Sequence, residues 1–406
     1  MDDEPAPETR YIPHELISRI LLRLPVKSLM RFTCVCTTWH NTITGDESFQ
    51  RMHHRLQEPC VLIAPLIKAY DGDPFSSTTN KKVTTPGLYR WEESQRAATL
   101  VQATDSFPAE EAWHKFAHCN GLVLMPMNGT VRVLNPATRR VLTLPERPQS
   151  VPRNRRARLF NFDKGARLYR GAFGLRYDPR SNTYKVARLF YRQVDVDDVY
   201  VPVMEVFTIG IDEHWRETAA PPPYPVVAGQ TATFFKASLL WTIDESLLKN
   251  DSGVRGFLRF NLEDESFSVT PAPPGCPKLQ NWASNLAEVD GDLYLAHEGS
   301  EGSGQPHQIW ACGDVDGDEP PRWVQRRAIV VPHGIRLIAA FDDGIVFQGS
   351  HCLSCFDSGM TRGYRHVASM DDLTYHHLDT NTSVEYIKET VHGYDAIPYV
   401  PSLVPI

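Results

Sequence analysis

From Cys60 onward the chain is built of short apolar runs that recur at residues 60–64, 121–125, 172–177, 238–243, 292–296 and 344–348. After the first, their starts are spaced by roughly 50–65 residues, a length at which one supersecondary unit repeats. Several runs are followed by a second apolar segment that ends in a turn signal, as at 131–138, 257–262 and 351–357. A further segment then closes near Leu144-Pro145, Trp215, 271–274 or Trp323. Prolines (31) and glycines (25) punctuate the runs, and no long amphipathic helix interrupts them. This texture predicts a large all-β domain in which each unit is a four-stranded sheet packed on the next around an axis, a β-propeller. Six units fit, the first completed by strands before Trp91. Strand exchange between the two ends would close the ring and remove its open edges.

Residues 11–49 have a different periodicity. Pro13 opens a helix where a missing N–H costs little, and Glu15 lies in its first turn. Leu16, Ile17, Ile20, Leu21 and Leu24 follow at helical spacing, and Pro25 ends the segment. Val26, Leu29, Met30 and Phe32 mark a second short helix, and Val35, Cys36, Trp39 and Ile43 a third. Helices this short bury little by themselves. Complete burial is worth about 1.5–3 kcal/mol per aliphatic side chain, so the surplus apolar face predicts a partner.

The series Ile12-Pro13, Leu16-Ile17, Ile20-Leu21, 24–29, Arg31-Phe32, Val35-Cys36 and Trp39 resembles an F-box in order and spacing. Ile12 stands where the family usually has leucine, and Thr37 where it usually has a basic residue. The resemblance implies binding to the Skp-type adaptor of a cullin–RING ubiquitin ligase. The adaptor contacts it implies are Ile12, Pro13, Leu16, Ile17, Ile20, Leu21, Leu24, Pro25 and Leu29. The same residues also have a structural reading, in which some of them, with Val35, Cys36 and Trp39, hold the helices together. Farther on, 116–124 with 135–138 and Leu144-Pro145, and 173–179 with 184–186, Val206-Phe207 and Trp215-Arg216, resemble the F-box-associated domain of a large plant family. That likeness covers residues 88–220 well and implies an irregular kelch-like propeller. Asn120-Gly121 and 135–138 also read as hairpin-turn chemistry, and Trp215 and Trp323 as propeller core.

The expected organisation is a disordered N-terminus at 1–10, a small all-α three-helix F-box at 11–50, a helical linker at 51–59, the propeller at 60–380 and a tail at 381–406 that adds a strand or helix. A net charge of −7 argues against a dedicated nucleic-acid binder. No run of 18 apolar residues predicts a membrane-spanning helix, and the acidic start is unlike a signal peptide. Eight scattered cysteines fit reduced thiols, with Cys352 and Cys355 the only C-x-x-C pair. Nucleophile-elbow, P-loop and dinucleotide motifs are absent from the sequence, and 314–318 fails the calcium-loop pattern. No cofactor or metal is expected. His53-His54 and His376-His377 read as surface pairs, and the acidic run 195–198 as a solvated hairpin tip.

The expected function is substrate recognition in an SCF-type ubiquitin ligase, without bond chemistry of its own, in the cytoplasm or nucleus. The F-box binds adaptor, and through it cullin, while the β domain recruits an unknown target protein. The basic run with Arg153, Arg155, Arg156 and Arg158 is the candidate target-binding loop, with a solvated loop and a nuclear-import signal as its other readings. Two alternatives are an F-box binding module acting outside a ligase and a propeller enzyme with its site in the central channel.

Overall fold

The computed structural model describes residues 13–71, 80–84, 87–92, 98–103, 115–126, 130–145, 171–193, 200–227, 229–248, 253–276, 279, 284–289, 291–298, 307–312, 322–329, 336–341, 344–348, 352–357, 365–369 and 390–406. The expected disordered N-terminus at 1–10 lies outside them.

The chain begins with α1 (His14–Leu21), α2 (Val26–Phe32), α3 (Thr37–Gly45) and α4 (Glu47–Arg55). Pro13 and Pro25 sit at the N-caps of α1 and α2. The Pro13 carbonyl accepts from the Leu16 and Ile17 amides, and that of Pro25 from Ser28 and Leu29. Pro25 therefore starts the second helix as well as ending the first. The three expected helices are present, and the expected helical linker forms the fourth, which begins earlier than expected, at Glu47. Its start is set by Asp46, whose carboxylate accepts from the Ser48 and Phe49 amides at 2.9 and 3.1 Å.

The rest is β-sheet. β1 (Cys60–Asp71), β2 (Asn80–Thr84), β3 (Gly87–Trp91) and β4 (Thr99–Ala103) begin the first sheet. β5 (Ala117–Cys119), β6 (Leu122–Pro126), β7 (Val131–Asn135) and β8 (Arg140–Thr143) form the second. The third comprises β9 (Ala172–Asp178), β10 (Thr183–Gln193), β11 (Tyr200–Thr208) and β12 (Arg216–Glu217). The fourth comprises β13 (Thr233–Phe235), β14 (Ser238–Thr242), β15 (Gly256–Asn261) and β16 (Phe267–Pro271). The fifth runs through β17 (Ser284–Val289), β18 (Asp292–Glu298), β19 (His307–Cys312) and β20 (Val324–Ile329). The sixth runs through β21 (Arg336–Phe341), β22 (Gly344–Gln348), β23 (Cys352–Asp357) and β24 (Arg365–Ser369). β25 (Thr390–Tyr399) then returns to the first sheet and pairs antiparallel with β1, from Cys60↔Tyr399 to Lys68↔Thr390.

Strands β5, β9, β13, β17, β21 and β25 touch one another in that order, and β25 touches β5. They are the inner strands of a closed six-sheet ring. In the first sheet the order from the axis outward is β25, β1, β3, β4, with the C-terminus supplying the inner strand. The segment set apart as a tail at 381–406 thus holds the strand that closes the ring. Hydrogen bonds also join neighbouring inner strands, as where Phe173 N donates to Gln230 O and Ala232 N to Phe173 O.

Each apolar run seen in the sequence falls in a different sheet. Five lie on the second strand outward, whereas 172–177 is inner strand β9. The runs are nearly continuous because both faces are covered by neighbouring sheets. On β10, Tyr184 and Val186 face the core shared with the second sheet, and Leu189 and Tyr191 the core shared with the fourth. Asn120 and Gly121 make the β5–β6 turn with φ of 49° and 81°, the left-handed pair that a tight hairpin requires.

Trp215 and Trp323 each tie their own sheet to the one before it. Trp215, ahead of β12, donates from Nε1 to Pro145 O at 2.9 Å, and Trp323, ahead of β20, does the same to Pro271 O at 2.9 Å. Both also pack into the adjoining apolar cores, as expected from the sequence. Trp323→Phe should keep most of the packing and lose the donor, destabilising the propeller by about 1–2 kcal/mol. A lowered denaturation midpoint would register this, while exposed Val324→Thr should stay within about 0.5 kcal/mol of wild type.

Candidate functional site

The helical unit sorts the residues implied as adaptor contacts into two sets. Leu16 and Ile20, four residues apart on α1, are 48% and 56% exposed. Pro13 and Pro25 are exposed as well, and Ile17 and Leu24 are half-buried. Together they form an apolar strip bordered by exposed Arg19, Arg23 and Lys27. Leu21 and Leu29 are only 2% and 0% exposed. They pack with Val26, Ile43 and Phe49, so they hold the helices together and have no surface to offer a partner. Ile12 lies outside the described residues. Val35 and Cys36 are exposed, and Trp39 packs edge-on against Phe32 with centroids 5.6 Å apart.

His53 and His54, expected as a surface pair, sit on α4, and only His54 keeps partial exposure. His53 is fully buried, and its Nε2 donates to the Leu24 carbonyl at 2.8 Å, tying α4 to the end of α1. His54 Nδ1 meets the Pro401 carbonyl at 3.3 Å. Gln50 Nε2 donates to Ile43 O at 3.1 Å.

The last residues of the chain, 400–406, run between the helical unit and the propeller. Leu403 is 6% exposed and belongs to the helical core with Leu21 and Leu29. Val404 and Ile406 pack instead against the core between the second and third sheets. Asn135 holds the strap: its Nδ2 donates to Ser402 O at 3.0 Å and Val404 O at 2.9 Å. Its Oδ1 accepts from the Ala137 and Thr138 amides. Gly121 lies beneath, where a Cβ would come within 2.3 Å of Ser402 Cβ. Asn120-Gly121 and Asn135-Pro-Ala-Thr are therefore hairpin turns, as their composition suggests, that also seat the strap. A separate tie joins Asn182 Nδ2 to Glu47 Oε1 at 2.6 Å.

These contacts place the β5–β6, β7–β8 and β9–β10 turns at the helical end. The strand directions then put Pro145 and Gly171, which flank the basic run, at the opposite end. Arg153, Arg155, Arg156 and Arg158 themselves lie outside the described residues, as do 195–198, 314–318 and His376-His377.

Along the axis is a cavity of about 240 Å³. Its lining includes Lys115, His118, Gln230, Thr231, Thr233 and Glu288 among apolar residues. Thr231 Oγ1 donates to Phe116 O and Thr233 Oγ1 to Leu286 O, so these hydroxyls serve the walls. Burial pushes the Cys119 thiol up to about 11, which keeps it protonated near neutrality and a poor nucleophile. Among the described lining residues Glu288 is the single carboxylate. Among the described residues no group of three His, Cys, Asp or Glu side chains could hold a metal ion. Cys352 and Cys355 lie three apart on β23.

Two family models match the chain: the F-box domain over residues 11–51 and the F-box associated beta propeller domain over 89–406. An Arabidopsis thaliana protein named as an F-box protein is 25% identical over 83% of this chain and 80% of its own length. An F-box/kelch-repeat protein of the same plant is 23% identical over 82% of this chain and 72% of its own. The solved structure of YjhT aligns with 65% of this chain and 85% of its own at a TM-score of 0.42 and 10% identity.

Burial lowers the pKa of His53, with the bond to Leu24 opposing in part, and burial also lowers that of His54. Both rings are kept neutral in the folded helical unit, while the unfolded chain takes up protons below about pH 6.5. Stability of α1–α4 should therefore fall as pH drops from about 6.5 toward the depressed folded-state values. Amide exchange across pH 5–7 would show it, and His53→Gln should flatten the dependence.

Proposed function

The chain belongs to the family of F-box proteins that carry an F-box-associated β-propeller, and from that premise we propose that it is the substrate-recognition subunit of an SCF-type cullin–RING ubiquitin ligase. The observation that carries the proposal is the outward-facing pair Leu16 and Ile20 on a helix whose Leu21 turns inward. Helix α1 keeps two large aliphatic side chains in water although Leu21, on the same helix, is buried. A partner groove that covers both removes that cost, and the adaptor of the family is the partner whose docking the F-box serves. Arg19, Arg23 and Lys27 form a charged rim that favours an acidic surround on the adaptor and speeds encounter more than it tightens binding.

The propeller acts in this reading as a non-catalytic platform. The F-box occupies one end of the ring, so the target is recruited at the other, the end from which the connection between Pro145 and Gly171 departs. Holding a target near the charged conjugating enzyme raises the effective concentration of the reacting groups. The ligase would work in the cytoplasm or nucleus, where adaptor and cullin are found.

Leu16→Asp with Ile20→Asp replaces apolar area worth about 1 kcal/mol per residue by two charges that resist burial. Adaptor affinity should fall at least about a hundredfold, measured by capture of purified adaptor and cullin, while both substitutions sit on the surface and leave the fold intact. Undiminished capture by a folded double variant would contradict the proposal.

A further inference from the structure

We infer that the C-terminal strap completes the F-box, so that the adaptor-binding face forms only in a chain whose propeller has closed; the second half of this statement rests on the adaptor reading above. The helical unit's own buried apolar side chains are Leu21, Val26, Leu29, Ile43 and Phe49. That is a thin core for four short helices. Leu403 joins it from the far end of the sequence and is itself only 6% exposed.

The strap is clamped rather than merely adjacent. Ser402 is fully buried. Asn135 bonds the carbonyls on either side of Leu403, those of Ser402 and Val404. Val404 and Ile406 are packed against the propeller, and the Pro401 carbonyl meets His54 on α4. Four residues upstream of Leu403, Tyr399 ends the strand that closes the ring. Leu403 can reach the helical core in this geometry only once β25 is paired with β1 and the β5–β6 and β7–β8 turns are in place to receive the strap. The F-box, synthesised before the propeller, thus waits for residues 400–406. A chain broken or stalled before them lacks the residue that finishes the adaptor-binding unit and does not enter the ligase.

Hydrogen exchange on the full-length chain tests this directly. Leu403→Ala should accelerate exchange of the α1–α4 amides by at least about thirtyfold. Exchange in β9–β16 should stay as in wild type. Leu403→Met, which keeps the volume, should restore protection to within roughly tenfold of wild type. Asn135→Ala, which releases the strap without touching the helices, should loosen α1–α4 in the same direction. Leu403→Asp should abolish adaptor capture while the sheets remain protected. Unchanged protection of α1–α4 in Leu403→Ala overturns the inference, and so does equal loosening of helices and sheets, which would make Leu403 an ordinary core residue. A wild-type chain that captures no adaptor overturns the reading on which the gating rests, and the exchange data judge the completion of the F-box independently of it.

Discussion

The antiparallel pairing of β1 with β25 is the contact on which the rest of the structure depends. It brings residues near 60 beside residues near 399, and so closes a loop of almost the whole propeller. Closing so long a loop is entropically opposed, though the cost grows only with the logarithm of its length. In return the ring has no open seam between its first and last sheets, and Cys60, Leu62 and Ala64 share a core with Ile397 and Tyr399 from the other end. Pairings of such sequence separation form late and slowly. The same pairing aims the final seven residues back at the helical unit, so ring closure and F-box completion are successive consequences of one strand finding its place.

Much of this architecture could be read from local pattern. Short strands buried on both faces leave continuous apolar runs, and six of them lie in six sheets. The run at 172–177 is the inner strand of its sheet while the others are second strands, and nothing in the composition of β9 marks the difference. Closure between the two ends follows from the need to remove open edges, but pairing partners more than three hundred residues apart carry no local signal that identifies them. For the same reason the tail at 381–406, expected to add a strand or helix, gave no sign of which sheet its strand would join. Asn120-Gly121 and Asn135-Pro-Ala-Thr announced turns correctly, but the strap they hold is invisible without the third dimension.

The candidate site shows a similar limit. Helical spacing identifies the apolar face of α1 but does not divide it. Leu16 and Ile20 point outward and Leu21 inward because α2, α3 and α4 cover only part of the circumference, and the coverage is a tertiary fact. The two histidines on α4 illustrate the converse error. Adjacent polar residues suggest a surface, yet His53 is buried because Leu24 leaves a carbonyl for its ring to satisfy. The described residues present one apolar strip at the helical end and enclose an axial cavity in which the Thr231 and Thr233 hydroxyls serve the walls.

The most direct measurement is the native-state exchange rate of the β25 amides, residues 390–399, in the unmodified full-length chain. If β25 closes the ring, its amides exchange in the slow class together with those of β1 and the inner strands β5, β9 and β13. Fast exchange across 390–399 while β9–β16 remain slow would mean an open ring and an unseated strap, and would contradict the account at its root.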